Sequence, residues 1–307
     1  MSLSNHRMVG YLFSGQGSQY AGMGKDLYES FPEAKTIFDK ADKVLGFSIS
    51  SLCFNGPQEE LTKTNNCQPA IVAMTIACWE AYKTRHSQID GYMAGLSLGE
   101  YSALVAAGAL NFEDAIFLVR RRGEFMEEEA ARHPGKMLSV IGLDLIKVKE
   151  ICSQAKTEIA NINCPGQTVI SGAPEAIEKA QTLAKEKGAK LAVILEVSGA
   201  FHSSFMREAA LKLAKELEKI NITTPRFPVI SNVIAGPVSS PEEIKQNLIR
   251  QVSSGVLWED SMKLILSKNV TTFFEFGPGK VLKGLMRRID SNAQVTNIEK
   301  KTDIESS

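Results

Sequence analysis

One stretch decides the fold of this chain, namely GYMAGLSLGEYSALVAA at residues 91–107. A short apolar run leads into Gly-Leu-Ser-Leu-Gly at 95–99, and a stretch rich in alanine and leucine follows it. This order is typical of a nucleophile elbow, a sharp turn from a strand into a helix in which glycines let neighbouring backbone approach. It predicts that Ser97 lies at the helix N-terminus, where unpaired N–H groups favour negative charge. The pentapeptide alone leaves a second interpretation open, a tight turn without chemistry.

The segment at about 136–196, on the C-terminal side of this stretch, predicts a smaller inserted unit. Its periodicity and turn residues give the order strand, helix, strand, strand, helix, strand at 137–142, 145–155, 158–163, 167–172, 173–187 and 190–196. This βαββαβ order is the split βαβ, ferredoxin-like unit. The sequence therefore predicts a large α/β domain in two halves, 1–130 and 198–307, around a small subdomain at 131–197.

The remaining segments fit the large domain. Apolar spacing predicts a first strand at 9–13, one helix over about 24–45, and a second helix that begins at Gln68-Pro69. The polar loop after the first strand is either an ordinary connection or the source of a backbone N–H donor near the nucleophile. The polar tail at 300–307 is expected to fray.

Composition and charge exclude several classes of function. Lys and Arg number 35 and Asp and Glu number 35, so the formal net charge is zero and offers no global attraction to nucleic acid or to a membrane surface. No apolar run is long enough to span a bilayer. Five scattered cysteines, with no C-x-x-C pair and no histidines at ligand spacing, predict reduced thiols, no metal site and no cofactor. The first residues lack the apolar core of a signal peptide, so we expect a cytoplasmic protein.

A nucleophilic serine needs a base, because its hydroxyl attacks well only when its proton is removed in the transition state. Four histidines could supply that base. His6 lies in the leader, His86 in a charged run and His133 in a turn, whereas His202 lies in a small, mostly apolar segment where the insertion rejoins the large domain. His202 is therefore the candidate base, and a satisfied core histidine is the alternative.

Arg122 is the candidate for binding an anion. It lies on a predicted helix that Asn111 is expected to cap, and it shares that helix's apolar stripe with Ala115, Ile116, Val119 and Met126. An unpaired buried charge costs several kcal/mol, so an arginine on such a stripe predicts an anionic partner.

Six motifs between residues 13 and 279 resemble one known family. They are FSGQGSQ at 13–19, GLSLGEY at 95–101, RG with FM at 122–126, NCPGQ at 163–167, GAFH at 199–202 and FGPG at 276–279. In this order they resemble the malonyl-CoA:acyl carrier protein transacylases, acyltransferases of fatty acid and polyketide synthesis. The resemblance implies a hydrolase-like parallel-sheet domain with a ferredoxin-like insertion, the same division that the periodicity predicts.

The resemblance also implies a mechanism and partners. Ser97 would take the malonyl group from coenzyme A as an ester, His202 would serve as acid and base, and the thiol of the phosphopantetheine on acyl carrier protein would receive the group in a ping-pong cycle. Backbone N–H groups of Gln16 and Leu98 would form the oxyanion hole, and Arg122 would bind the malonyl carboxylate. The expected partners are malonyl-CoA and acyl carrier protein, with no nucleic acid or membrane, and the expected state is a monomer.

Three positions depart from the family pattern. Leu96 and Ser14 stand where most members have histidine and proline, and Leu257 stands where many have glutamine or arginine. In the family the residue at 257 helps orient the catalytic histidine through its backbone carbonyl, so Leu257 is expected to do the same. Two alternatives stay open: a serine acyl hydrolase acting on acyl carrier protein or CoA thioesters, and a non-catalytic module that docks acyl carrier protein.

Overall fold

The computed structural model describes residues 8–307 and contains two β-sheets. The strands are β1 (Val9–Phe13), β2 (Gly91–Gly95), β3 (Lys136–Ile141), β4 (Glu158–Cys164), β5 (Gln167–Gly172), β6 (Leu191–Ile194), β7 (Val229–Ser231), β8 (Gly236–Val238), β9 (Thr272–Phe276) and β10 (Gln294–Ile298). The helices are α1 (Lys25–Ser30), α2 (Pro32–Leu45), α3 (Ile49–Asn55), α4 (Gln58–Thr62), α5 (Thr64–Lys83), α6 (Gly99–Ala106), α7 (Phe112–Arg132), α8 (Leu145–Ala155), α9 (Pro174–Glu186), α10 (Arg207–Leu217), α11 (Pro241–Ser253), α12 (Trp258–Leu266), α13 (Val281–Ile289) and α14 (Lys301–Ser306).

The larger sheet has six strands in the order β10-β9-β1-β2-β7-β8. All its pairings are parallel except that of the edge strand β8 with β7. Every residue of β1 is buried, and its side chains alternate between two cores, with Tyr11 and Phe13 in one and Leu12 in the other. A mostly parallel sheet covered on both faces is what the apolar strands of the sequence require. The predicted α/β class is confirmed.

The smaller sheet has four antiparallel strands in the order β4-β5-β3-β6. Helices α8 and α9 pack on it and share a separate core with its strands. The chain order β3-α8-β4-β5-α9-β6 with this strand order is the ferredoxin-like arrangement, so that prediction is also confirmed. The boundaries at 131 and 197 stay a prediction, and α7 continues through the first of them to Arg132.

Three local predictions differ from the structure. The expected helix over 24–45 is two helices, because the extended backbone of Phe31 precedes Pro32 at the start of α2. The helix expected to begin at Gln68-Pro69 begins at Thr64, with Pro69 inside it. Proline lacks an N–H for the carbonyl four residues earlier, and Nη1 of Arg120 donates to that carbonyl, Asn65 O, at 2.9 Å.

The polar tail is also more ordered than its composition predicts. Residues 301–306 form α14 after the parallel edge strand β10. The side chain of Ile304 is fully buried in the main core, and the N–H of Lys301 donates to Asp26 at 2.9 Å. One buried isoleucine and a fixed N-terminus therefore hold this short helix, which its own sequence would not stabilise.

Candidate active site

The predicted elbow is present between β2 and α6. Ser97 has φ 51°, in the left-handed region, at the apex of the turn. Both flanking glycines are required sterically, because a Cβ on Gly95 would lie 1.9 Å from the carbonyl carbon of Gly99, and one on Gly99 would lie 2.2 Å from the carbonyl oxygen of Phe13. The turn therefore presents the Ser97 hydroxyl at the carboxyl end of the parallel sheet, beside the loop that follows β1.

His202 meets Ser97 across the site. Its Nε2 lies 2.8 Å from Ser97 Oγ, and its Nδ1 lies 2.7 Å from the carbonyl oxygen of Gln251. Because a carbonyl only accepts, the proton is assigned to Nδ1, which leaves Nε2 free to accept the Ser97 proton. Burial, together with the charge of Arg122, lowers the pKa of His202 to about 4, so the imidazole is neutral at physiological pH.

The carbonyl that orients His202 is not the predicted one. Leu257 precedes α12 as its N-cap residue, and its carbonyl accepts from the N–H and the hydroxyl of Ser261 at 3.0 and 2.8 Å. That carbonyl is thereby turned into its own helix. The prediction for Leu257 is wrong, and the carbonyl of Gln251 near the end of α11 takes the role.

Helix α7 places Arg122 beside Ser97. As predicted, Asn111 caps this helix, since its side chain accepts from the N–H of Glu113. Its side chain is 1% exposed. Nη2 lies 3.1 Å from Ser97 Oγ and 3.1 Å from Gln251 Oε1, and Nη1 lies 2.9 Å from Gln68 Oε1. These acceptors are all neutral.

The charge of Arg122 therefore stays without a direct anionic partner. Within residues 8–307, the guanidinium forms no salt bridge with a carboxylate, and its Nε is buried without a partner. Burial lowers the pKa of Arg122, but a guanidinium stays protonated in proteins. An anion that entered the cavity would meet a desolvated positive charge with no described carboxylate in direct contact with it.

Asn232 fixes the backbone of the nucleophile. Its Oδ1 accepts from the N–H of Ser97 at 2.6 Å, and its Nδ2 donates to the carbonyl of Gly95 at 2.8 Å. Its own N–H donates to Glu100 at 3.1 Å. The residue follows β7 directly, so the carboxyl end of a neighbouring parallel strand supports the elbow.

Sequence reasoning missed Gln68, Asn232 and Gln251. One pattern could have indicated Gln251: it extends the buried stripe of α11 formed by Ile244 and Leu248, where an amide needs partners. The sequence marks Gln68 only as part of the Gln68-Pro69 pair that is expected to start a helix. Asn232 carries no motif that would single it out.

The predicted oxyanion donors lie at this site. Gln16 follows β1 in a loop that packs on the elbow so closely that a Cβ on Gly15 would be 2.4 Å from the carbonyl oxygen of Leu96. Leu98 follows Ser97 at the start of α6. Within residues 8–307, the N–H groups of Gln16 and Leu98 have no hydrogen-bond acceptor. Their role as oxyanion donors stays a prediction.

A cavity of about 630 Å³ opens over these groups. Ser97, His202 and Gln16 line it together with Leu96, whose side chain forms part of the wall beside the nucleophile. The smaller sheet and the segment after it also line the cavity, through Met137, Asn161, Asn163, Val169, Leu195 and Val197. The site therefore lies where the two sheets meet.

Neither a metal centre nor a membrane span is found in the described part of the chain. Residues 8–307 contain no group of histidine, cysteine and acidic side chains that could hold a metal ion, and no helix long and apolar enough to cross a bilayer. All five cysteines are free and buried, and burial raises the thiol pKa of each.

Comparison with known proteins agrees with this geometry. The family described as "Acyl transferase domain" matches residues 10–302. The malonyl CoA-acyl carrier protein transacylase of Bacillus subtilis is 47% identical over 302 residues, which cover 97% of this chain and 95% of the relative. This chain belongs to that family of acyltransferases. The resemblance found in the motifs is confirmed.

Solved structures of the family superpose over nearly the whole chain. An acyl carrier protein S-malonyltransferase from Vibrio cholerae is 38% identical with a TM-score of 0.94, covering 97% of this chain and 99% of that one. A malonyl-transacylase solved in complex with its type II PKS acyl-carrier protein is 39% identical with a TM-score of 0.95, covering 97% and 98%. The acyltransferase fold is thus shared from end to end.

Proposed function

We propose that this acyltransferase moves a malonyl group from coenzyme A to the phosphopantetheine thiol of acyl carrier protein through an ester on Ser97. One observation carries the choice of substrate, which is the buried Arg122 guanidinium 3.1 Å from Ser97 Oγ with no carboxylate of its own. A malonyl group esterified at Ser97 places its free carboxylate within reach of that charge. Arginine suits this role because it can grip a carboxylate through two parallel hydrogen bonds.

The first half-reaction forms the ester. His202 Nε2 takes the proton from Ser97 Oγ as the oxygen attacks the thioester carbonyl of malonyl-CoA. The oxyanion that develops is stabilised by the N–H groups of Gln16 and Leu98, a contribution of about 3–4 kcal/mol for each donor. The C–S bond then breaks, and the imidazolium returns the proton to the sulfur of coenzyme A, which leaves as the thiol.

The second half-reaction runs the same steps with a different thiol. The phosphopantetheine thiol gives its proton to His202 Nε2 and attacks the ester carbonyl, and the same two N–H groups hold the oxyanion. The C–O bond to Ser97 breaks, and His202 protonates the released serine. The hydrogen bond from His202 Nδ1 to the Gln251 carbonyl keeps the ring in one tautomer throughout.

The hydrolase alternative is not favoured by the relatives, which are named transacylases.

We further propose that the protein works as a cytoplasmic monomer, with malonyl-CoA and acyl carrier protein as its partners and without nucleic acid or membrane. The zero formal net charge offers no global attraction to nucleic acid or to a membrane surface, which supports the last part of this proposal. Light scattering of the purified protein checks the monomer.

Intact-protein mass spectrometry tests the proposal. Brief mixing with malonyl-CoA should add one malonyl group to the wild type and none to Ser97→Ala, and addition of holo acyl carrier protein should move the label to the carrier. Labelling that persists in Ser97→Ala would contradict the nucleophile. Label that is lost to water at the same rate with and without carrier would favour a hydrolase.

A further inference from the structure

A buried carboxylate lies beside the site without touching a reacting atom. Glu100 is the second residue of α6 and is 2% exposed. Its Oε2 accepts from Gln251 Nε2 at 2.7 Å and from the N–H of Asn232 at 3.1 Å. Burying a carboxylate costs several kcal/mol unless hydrogen bonds such as these compensate for the lost hydration.

Glu100 and the carbonyl of Ser97 together determine which way the Gln251 amide faces. Gln251 Nε2 donates to Glu100 Oε2 at 2.7 Å and to the carbonyl of Ser97 at 3.0 Å. If the amide were flipped, its oxygen would face these two acceptors and its NH₂ group would face the guanidinium of Arg122. Above the Glu100 pKa of about 7, its carboxylate and the Ser97 carbonyl only accept and the guanidinium only donates, so the flipped amide would lose its hydrogen bonds on both sides. The observed orientation turns Gln251 Oε1 toward Arg122 Nη2 at 3.1 Å.

We propose that Glu100 is a positioning residue, which fixes the Gln251 amide and through it aims the Arg122 guanidinium at the acyl group on Ser97. The inference rests on the proposed function, since it assigns Arg122 to the malonyl carboxylate. Glu100 is thus a selectivity residue that acts through Gln251, and it contacts neither the substrate nor the oxyanion.

The indirect arrangement has a physical reason. A carboxylate in direct contact with Arg122 would compete with the malonyl carboxylate for the same N–H groups. Glu100 instead lies behind Gln251, where its ionised form still interacts favourably with the buried positive charge, while every N–H of the guanidinium has a neutral partner or none among residues 8–307. The charge is therefore oriented and partly compensated, yet available to an anion.

Two substitutions separate the parts of this role. Glu100→Leu removes the acceptor, and the ratio of kcat/KM for malonyl-CoA to that for acetyl-CoA should fall about tenfold or more, the loss expected when a hydrogen bond to a charged group is misplaced. Glu100→Gln keeps an acceptor for the Gln251 amide, so its ratio should stay within about threefold of wild type. In an Arg122→Ala background, Glu100→Leu should change the ratio no further.

Glu275 offers a matched control. It is equally buried, accepts from the N–H groups of Leu282 and Lys283, and lies outside this network. Glu275→Leu should lower stability without changing the ratio. If Glu100→Leu does not fold, Gln251→Met removes the same link and should lower the ratio equally.

An unchanged malonyl-to-acetyl ratio of kcat/KM in Glu100→Leu overturns the inference, and so does an unchanged ratio in Gln251→Met if that variant replaces Glu100→Leu. The inference is equally overturned if Glu100→Leu still changes the ratio in the Arg122→Ala background. The wild type is measured first. A wild type that takes no malonyl group defeats the proposed function itself, whereas a labelled wild type with an unchanged variant ratio defeats only the role of Glu100.

Discussion

Replacing Arg122 with alanine tests what makes this site selective for a malonyl group. The side chain is 1% exposed and none of its partners is charged, so the malonyl carboxylate would form the only direct ion pair of this guanidinium within residues 8–307. Breaking a buried ion pair costs about 3–5 kcal/mol, which corresponds to a loss of about 150- to 5,000-fold in kcat/KM for malonyl-CoA.

Acetyl-CoA should respond differently, because it has no carboxylate to lose. Arg122 Nη2 also donates to Ser97 Oγ, and this bond occupies a lone pair of the oxygen that must attack. Its removal should leave the slow acetyl reaction unchanged or faster. The kcat/KM for malonyl-CoA therefore falls while that for acetyl-CoA does not, and a general loss of folded protein would lower both.

The assay is the first half-reaction, followed as release of coenzyme A with each substrate and confirmed by intact mass. Arg122→Lys is the matched variant, since it keeps the charge but cannot form two parallel hydrogen bonds to a carboxylate. Its kcat/KM for malonyl-CoA should fall less than that of Arg122→Ala. Circular dichroism checks the fold, because Gln68 and Gln251 lose a donor in both variants. An equal fall for malonyl-CoA and acetyl-CoA would falsify the assignment of Arg122 to the carboxylate.

Three further predictions concern the other parts of the site. His202→Ala should slow transfer by about 100-fold or more, the usual scale of acid–base catalysis, and His133→Ala should not. The pH profile is measured in Glu100→Gln, because burial raises the pKa of the Glu100 carboxyl to about 7 and its titration would otherwise change kcat/KM in the same range. In that variant kcat/KM should not halve near pH 6.5, because burial lowers the folded-state pKa of His202 to about 4 and the base stays neutral down to that pH. Asn232→Ala should lower the free energy of unfolding in urea by about 2–3 kcal/mol, because two buried backbone groups lose their partners. Asn247→Ala, at a buried amide whose Nδ2 has no partner within residues 8–307, should cost less.

The sequence predicts most of the fold because its patterns are local. The glycines around Ser97 have no room for a side chain, so the five residues 95–99 are enough to predict the elbow. The βαββαβ insertion follows from strands and helices with clear periodicity. Arg122 is detectable for a similar reason, since one charged residue on an otherwise apolar helix stripe implies a partner that the helix itself does not contain.

The supports of the site are not local, and the sequence gives little indication of them. Which carbonyl reaches His202 Nδ1 depends on how α11 packs against the segment after β6. The position of Gln251 on a buried stripe indicates only that its side-chain amide needs partners, and it says nothing about its backbone carbonyl. The expectation placed on Leu257 failed because a residue before a helix turns its carbonyl into that helix. The start of α5 was also predicted incorrectly from Pro69. The side chain of Arg120, which is distant in sequence, donates the hydrogen bond that the proline cannot donate, so the helix begins before the proline.

The two reacting side chains share a property that explains why these distant supports matter. Ser97 and His202 both have left-handed backbone, with φ 51° and 56°, a conformation that costs about 1–3 kcal/mol for a residue other than glycine. Each is held by a hydrogen bond from the segment between β7 and the end of α11, Ser97 by the Asn232 side chain and His202 by the Gln251 carbonyl. The motifs thus place strain at the nucleophile and the base, and residues outside every motif keep it in place. Asn232→Ala, which removes the support of Ser97, should therefore separate Ser97 Oγ from His202 Nε2 and lower activity before it unfolds the protein.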